Sequence, residues 1–364
     1  MALAIAAAVV GSIVALYYFR LGLTLSHYDA RGHLIVARRV LDSITPGWQQ
    51  IGAVWLPLPH LLNLLPVQID VFYRTGASAV AISIAAFAIA TGSIAWIVLR
   101  FTESAAAAVV ASAAFALNPN VLYLQSTPMT EPLLLALALL ALALLIVWCD
   151  AADGERGPRG TAVGCAFGLA CLTRYEAWPV TAAALAAAVW VRWRNGDAFV
   201  DASRRVAAIA VYPAVTLVAF AIHSRVVGGQ WFTASGFFVP ENKALGRPLL
   251  ALAEIGWGAH ALTGTLTILM AAIGLVTLAA WGLADRRRSG SLVALALLAS
   301  AALPWAAFVQ GHPFRIRYMV PLIAAGAIGA GIAAGIVRRA APISALAVAL
   351  ALAFDVRPLS PLAP

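Results

Sequence analysis

The chain alternates between long apolar runs and short polar breaks from one end to the other. A run of about 20 apolar residues spans a bilayer as a helix. Such runs lie at approximately 2–19, 76–99, 105–118, 131–149, 160–173, 178–193, 206–226, 261–283, 292–309, 319–337 and 341–354. The third and fifth are short, so they either tilt little or sit partly inside the bundle. The pattern predicts an all-α, polytopic membrane helix bundle of about 11 transmembrane helices. It forms a single transmembrane domain over 1–364, with no separate soluble domain expected. Gly331 and Gly335 stand four apart in the tenth run, a spacing that lets another helix approach closely. The first run has no basic region before it and ends in Tyr17-Tyr18-Phe19-Arg20 instead of a small-residue cleavage site, so it reads as an uncleaved membrane helix.

If each run crosses once, the connections alternate sides. One side receives 20–75, 119–130, 174–177, 227–260 and 310–318; the other receives 100–104, 150–159, 194–205, 284–291 and 338–339. The first set holds every unusual polar cluster: Asp29 with His33, Glu131, Arg174 with Glu176, Lys243 with Arg247, and His312 with Arg315 and Arg317. Five clusters on one face predict a single active face. Lys and Arg divide almost evenly between the sides, but the compact blocks 286–288 and 338–339 hug helix ends on the second. That favours the second side as cytoplasmic and the active face as extracytoplasmic.

Within the first connection, Leu34, Ala37, Leu41 and Ile44 recur at helical spacing, with Arg31, Arg38 and Asp42 on another face. The spacing predicts a short amphipathic helix over 29–44 lying in the membrane interface. Asp29 stands at its N-terminus, either as a cap or as a carboxylate held at the membrane surface to take a proton from a hydroxyl. His33 follows by four residues and shares its face; no tight metal-ligand set surrounds it, and no divalent metal or other cofactor is expected. Glu131, in "QSTPMTEP", starts the fourth run, where a helix dipole favours an acid and Thr130 is placed to cap. Arg174 and Glu176 share a tight turn and either neutralise each other or hold a substrate hydroxyl. "QGHPFRIRYMVP", 310–321, gathers His312, Arg315, Arg317 and Tyr318 with no acid nearby in sequence. Cations at a helix start oppose the dipole, so this cluster is expected to take an anion, a lipid phosphate or a lipid headgroup. Residues 227–260 are long enough for a lid, with room for a short helix, and carry Trp231, Phe232, Phe237, Phe238, Glu241, Lys243, Arg247 and Trp257.

Composition agrees with the pattern. The 364 residues are 63% hydrophobic and 11% charged, against about a quarter charged in soluble domains. The 24 basic and 15 acidic residues give +9, which in such a chain reads as interface anchoring and topology, not nucleic-acid binding. Cys149, Cys165 and Cys171 lie in or beside apolar runs without ligand spacing.

An acid in the first extracytoplasmic connection, an amphipathic helix after it, "TEP" before the fourth run and a late "RY…P" resemble the GT-C membrane glycosyltransferases. The likeness points to the bacterial branch related to protein O-mannosyltransferases and the lipid A aminoarabinose transferase. "YDARGHLIVARRVLDSITPGWQQIGAVWLPLPHLL", 28–62, carries most of it. The resemblance implies a bacterial inner-membrane enzyme that transfers a sugar, with inversion, from a polyprenyl-phosphate donor to an acceptor hydroxyl on a glycan, glycolipid or protein. It implies Asp29 as general base and Arg315 and Arg317 as holders of the donor phosphate. Glu131, Arg174 and Glu176 would orient acceptor or sugar. No nucleotide site is called for, and no Gly-rich phosphate loop is present. Two departures stand out: relatives often carry paired acids where Asp29 is followed by Ala30, and many carry a soluble domain after the last helix. Rival readings are a lipid-linked glycan flippase or transporter, a ligase using a diphosphate donor, and an accessory subunit.

Overall fold

The computed structural model describes residues 1–151, 157–231 and 242–356, and no strand forms among them. From the N-terminus, α1 (Ala2–Arg20) is followed by a connection that folds into α2 (Tyr28–Arg39), α3 (Leu58–Asn63) and α4 (Asp70–Thr75). The bundle continues through α5 (Ala77–Thr102), α6 (Ala105–Ala116), α7 (Pro119–Gln125), α8 (Glu131–Asp150), α9 (Gly160–Cys171), α10 (Ala177–Asn195) and α11 (Phe199–Gly228). Then come α12 (Pro248–Thr263), α13 (Thr265–Ala284), α14 (Ser291–Ala294), α15 (Ala302–Val309), α16 (Val320–Gly335) and α17 (Ala341–Val356).

Each of the eleven expected runs is largely helical, but fewer than eleven are long and apolar enough to count as spans, and the protein is a multi-pass membrane bundle. Seven segments among the described residues are long and apolar enough to cross a membrane: α1, α5, α8, α11, α13, 286–309 and 316–335. They become eight when α6 and α7, which meet at a 66° bend, count as one span. The bend has a local cause. Asn118 accepts from the N–H groups of Asn120 and Val121, starting a new helix, and its amide donates to the Leu262 carbonyl at 2.8 Å. The two short runs are α6 and α9, both with many buried residues, as the sequence allowed.

The span 316–335, which contains α16, is the most buried among the described residues. Small residues make this possible. Side chains added at Gly331 and Gly335 would strike α6 and the end of α5, so the pair read from sequence seats α16 there. On the opposite side, Gly274 and Gly329 let the backbones of α13 and α16 touch.

The ties between connections join members of the same expected side. On the first side, Leu58 N–H donates to Leu172 O at 2.9 Å, the Tyr175 hydroxyl to Val54 O at 3.0 Å, and Asn242 N–H to Gly311 O at 3.0 Å. On the second, Arg100 pairs with Asp150 at 2.8 Å, Arg338 with Glu103 at 2.6 Å, and Ser289 bonds Asn195 at 3.0 Å.

One expectation changes. The first-connection helix covers 28–39 instead of 29–44. Gly47 N–H turns back onto Val40 O and Pro46 intervenes, so Leu41 and Ile44 leave the helix exposed, while Leu34 and Ala37 pack on Val67 and Ala79. The 227–260 stretch holds a helix, as the sequence allowed: α11 reaches Gly228, and Pro248 opens α12, which includes Trp257. The part of the lid expectation that rests on 232–241, with Phe232, Phe237, Phe238 and Glu241, lies outside the described residues.

Candidate active site

Helix α2 presents Asp29 and His33 to the interior, 3% and 7% exposed. The cap is His27, whose Nδ1 accepts from the Asp29 N–H at 3.1 Å. The capping alternative for Asp29 is therefore corrected: the orphan amide is already satisfied, and the Asp29 carboxylate is left for another partner. That partner is Arg317, whose Nη2 contacts Asp29 Oδ2. The cations of 310–321, without an acid nearby in sequence, thus gain one in space for Arg317, from the first connection. Arg315 is exposed and forms no ion pair among the described residues.

The turn between α9 and α10 supplies Arg174. Its Nη2 lies 2.6 Å from Glu176 Oε1, and its Nη1 lies 3.1 Å from Thr130 Oγ1 and 3.0 Å from Glu131 Oε1. Thr130 does not cap α8; its hydroxyl serves Arg174. Arg174 and Glu176 do neutralise each other, and Glu131 joins them in an ion cluster drawn from three segments. Burial opposes the charge on Arg174, but Glu131 and Glu176 outweigh it and hold the guanidinium above its ordinary value. Glu131, 1% exposed, is less fully served. Its contact with Arg174 is an ion pair outside hydrogen-bond geometry, and neither of its oxygens accepts a hydrogen bond. Arg317 Nη1, 3.9 Å from Glu131 Oε1, is likewise buried without a hydrogen bond. Three carboxylates (Asp29, Glu131, Glu176) thus face two guanidiniums (Arg174, Arg317). The cluster has unused donors and acceptors and an excess of negative charge, which suits polar substrates better than a closed structural network.

Tyr318 is half-buried and near enough to Arg174, Arg317, Glu176 and Arg315 to feel their charges. The His312 ring lies 5.6 Å from it, and its Nδ1 is 2.9 Å from the Pro313 carbonyl. Gly246 N–H donates to Val309 O at 2.8 Å, bringing the exposed Lys243 and Arg247 to the same edge. Every candidate named from sequence therefore lies on one face, and Asp29, Glu131, Arg174, Glu176 and Arg317 form one connected cluster.

His60 escaped the sequence reading. Its Nε2 sits 3.1 Å from His33 Nδ1, and the Trp55 ring covers both, 4.5 Å from His33 and 6.0 Å from His60. Gly32 leaves room for Trp55, since a side chain there would strike the indole. The only hint in the sequence was a histidine between prolines and leucines in "LPLPHLL". Among the described residues, no three His, Cys, Asp or Glu side chains are grouped to share a metal ion. Burial pushes His60 down to about 4, and burial with the charges of His60, Arg174 and Arg317 pushes His33 well below 6.5.

This has a measurable consequence. Unfolded, both rings take a proton near pH 6.5; folded, they refuse it until lower pH. The unfolded state then binds more protons, so stability falls as pH drops below 6.5, and the His60 part levels off near pH 4. The slope is about 1.4 kcal/mol per pH unit for each such histidine. Thermal unfolding in detergent between roughly pH 8 and pH 4 should show this fall, and His60→Gln should flatten it.

Fold and face together define an all-helical, multi-pass membrane bundle with the candidate residues collected at one end. Two solved structures of this kind are similar to it. One is ArnT from Cupriavidus metallidurans bound to undecaprenyl phosphate, with TM-score 0.59 and 19% identity, covering 90% of this chain and 59% of that one. The other is the same protein in the apo state, with TM-score 0.58 and 18% identity over the same shares. The chain thus spans about three fifths of the length of those structures. No family model matches the sequence, and no curated protein matches it.

Proposed function

We propose that this protein is an inverting glycosyltransferase of a bacterial plasma membrane. It moves mannose or a similar sugar from a polyprenyl-phosphate donor to a hydroxyl acceptor at the extracytoplasmic face. One observation carries the reading: a buried carboxylate, Asp29, meets Arg317 from the far end of the chain, with the exposed Arg315 two residues away. The undecaprenyl phosphate bound to the similar ArnT structure supports a lipid phosphate as the partner.

In this reading the acceptor hydroxyl gives its proton to Asp29 as its oxygen attacks the anomeric carbon from behind. The bond from that carbon to the phosphate oxygen breaks, and the donor leaves as the lipid phosphate. Arg315 and Arg317 stabilise the charge that gathers on the phosphate. Arg174 fixes Glu131 and Glu176, whose oxygens orient sugar or acceptor hydroxyls, while His33, His312 and Tyr318 line the substrate. The leaving group is already a stabilised anion, so no divalent metal or other cofactor is invoked. Membrane lipid is the remaining partner, and no nucleic acid takes part.

A transporter collects polar residues at mid-membrane depth, whereas here they gather where the first-side connections meet. The test is a panel of undecaprenyl-phosphate and undecaprenyl-diphosphate sugars with a glycan acceptor, the product's anomeric configuration being read by NMR. Inverted product from a monophosphate donor supports the reading. Retained configuration, or product only from diphosphate donors, contradicts it.

A further inference from the structure

The contact between Arg317 and Asp29 poses a problem for the reaction just proposed. The cation assigned to the donor phosphate is already engaged by the base. The free site also holds three carboxylates against two guanidiniums, a poor host for another anion. Arg315 adds one positive charge at the exposed edge. A phosphate arriving there still meets Asp29 as a competitor for Arg317.

We infer that Arg317 has two alternative partners: it holds Asp29 in the free protein and moves to the donor phosphate in the complex, releasing Asp29 as a base only when the donor is bound. The inference rests on the glycosyltransferase reading. Three features of the site support it. Arg317 Nη1 is buried and unbonded, so the guanidinium has a donor to spare before it lets go of Asp29. Glu131 Oε1, 3.9 Å from that nitrogen, keeps the side chain near the site in either arrangement. Arg317 is 23% exposed while Asp29 is 4% exposed at the side chain, so the arginine is the member with room to turn outward. The device has a chemical use. A base tied to a cation until the donor arrives cannot activate water or acceptor prematurely.

The test is binding of undecaprenyl phosphate to purified protein in nanodiscs of neutral lipid, for wild type, Asp29→Asn, Arg317→Gln and the double variant. Competition predicts that Asp29→Asn binds roughly tenfold more tightly than wild type and that Arg317→Gln abolishes this gain, the coupling typical of groups in one ion-pair network. Unchanged or weaker binding by Asp29→Asn overturns the inference, since Arg317 then bridges both partners or never meets the phosphate. Equal tightening with and without Arg317 also overturns it, because only the general field of Asp29 is then at work. If wild type binds no undecaprenyl phosphate, the glycosyltransferase reading itself fails, and this inference with it. A measurement on unmutated protein guards against a misfolded variant: infrared difference spectra with carboxyl-labelled aspartate should show a carboxylate band shift on adding undecaprenyl phosphate. An absent shift in protein that binds the lipid overturns the exchange of partners.

Discussion

Asp29→Asn should lower sugar transfer by about 10²- to 10⁴-fold, the range a positioned general base contributes. Asparagine has the same shape and can still accept a hydrogen bond from Arg317, so the bundle and the approach of α2 to the 310–321 segment should survive. It cannot take a proton from the acceptor. The loss should fall on kcat, with donor binding retained or improved, because the interaction removed matters as the acceptor oxygen attacks. Initial rates at saturating donor and acceptor, beside thermal unfolding of both proteins, check this. A variant that keeps its rate removes Asp29 as the base; one that loses rate and stability together shows a structural role.

Arg174→Gln should damage the fold itself. The guanidinium ties the start of α8 to the α9–α10 turn through Glu131, Glu176 and Thr130. Removing it leaves two acids, 1% and 3% exposed, without their cation. Breaking a buried pair in this way costs about 3–5 kcal/mol, since the remaining charge stays desolvated and uncompensated. The variant should melt far below wild type in detergent or fail to accumulate as monodisperse protein. Adding Glu131→Gln and Glu176→Gln should restore much of the stability without restoring transfer. An Arg174→Gln protein as stable as wild type would show that water already compensates these acids.

The outline of the fold was legible because a bilayer-spanning helix must be apolar along its length, and runs such as 77–102 and 131–150 have no other use for that composition. The two-sided sorting of the connections came from counting eleven crossings, and the ties Arg174–Thr130 and Arg100–Asp150 agree with it. What stayed hidden was pairing. Nothing near Arg317 in sequence announces Asp29, and nothing near Glu131 announces Arg174; tertiary packing alone brings them together. His27 displaced Asp29 as a cap because an imidazole nitrogen can accept an amide as a carboxylate does. The end of α2 was misjudged because Leu41 and Ile44 continue the helical spacing while the turn at Gly47 overrides it. His60 was missed because a buried histidine bonded to another histidine leaves no charge pattern to read.

The central claim is that this face breaks the bond between a sugar and a lipid phosphate. The most direct measurement incubates purified wild-type protein in liposomes with radiolabelled undecaprenyl-phosphate mannose and related donors, with a hydroxyl acceptor present, and follows the lipid by mass spectrometry. The account predicts time-dependent appearance of undecaprenyl phosphate together with labelled acceptor, neither occurring with Asp29→Asn. Intact donor recovered from the opposite leaflet, with no lipid phosphate released from any donor, would contradict it and identify a flippase.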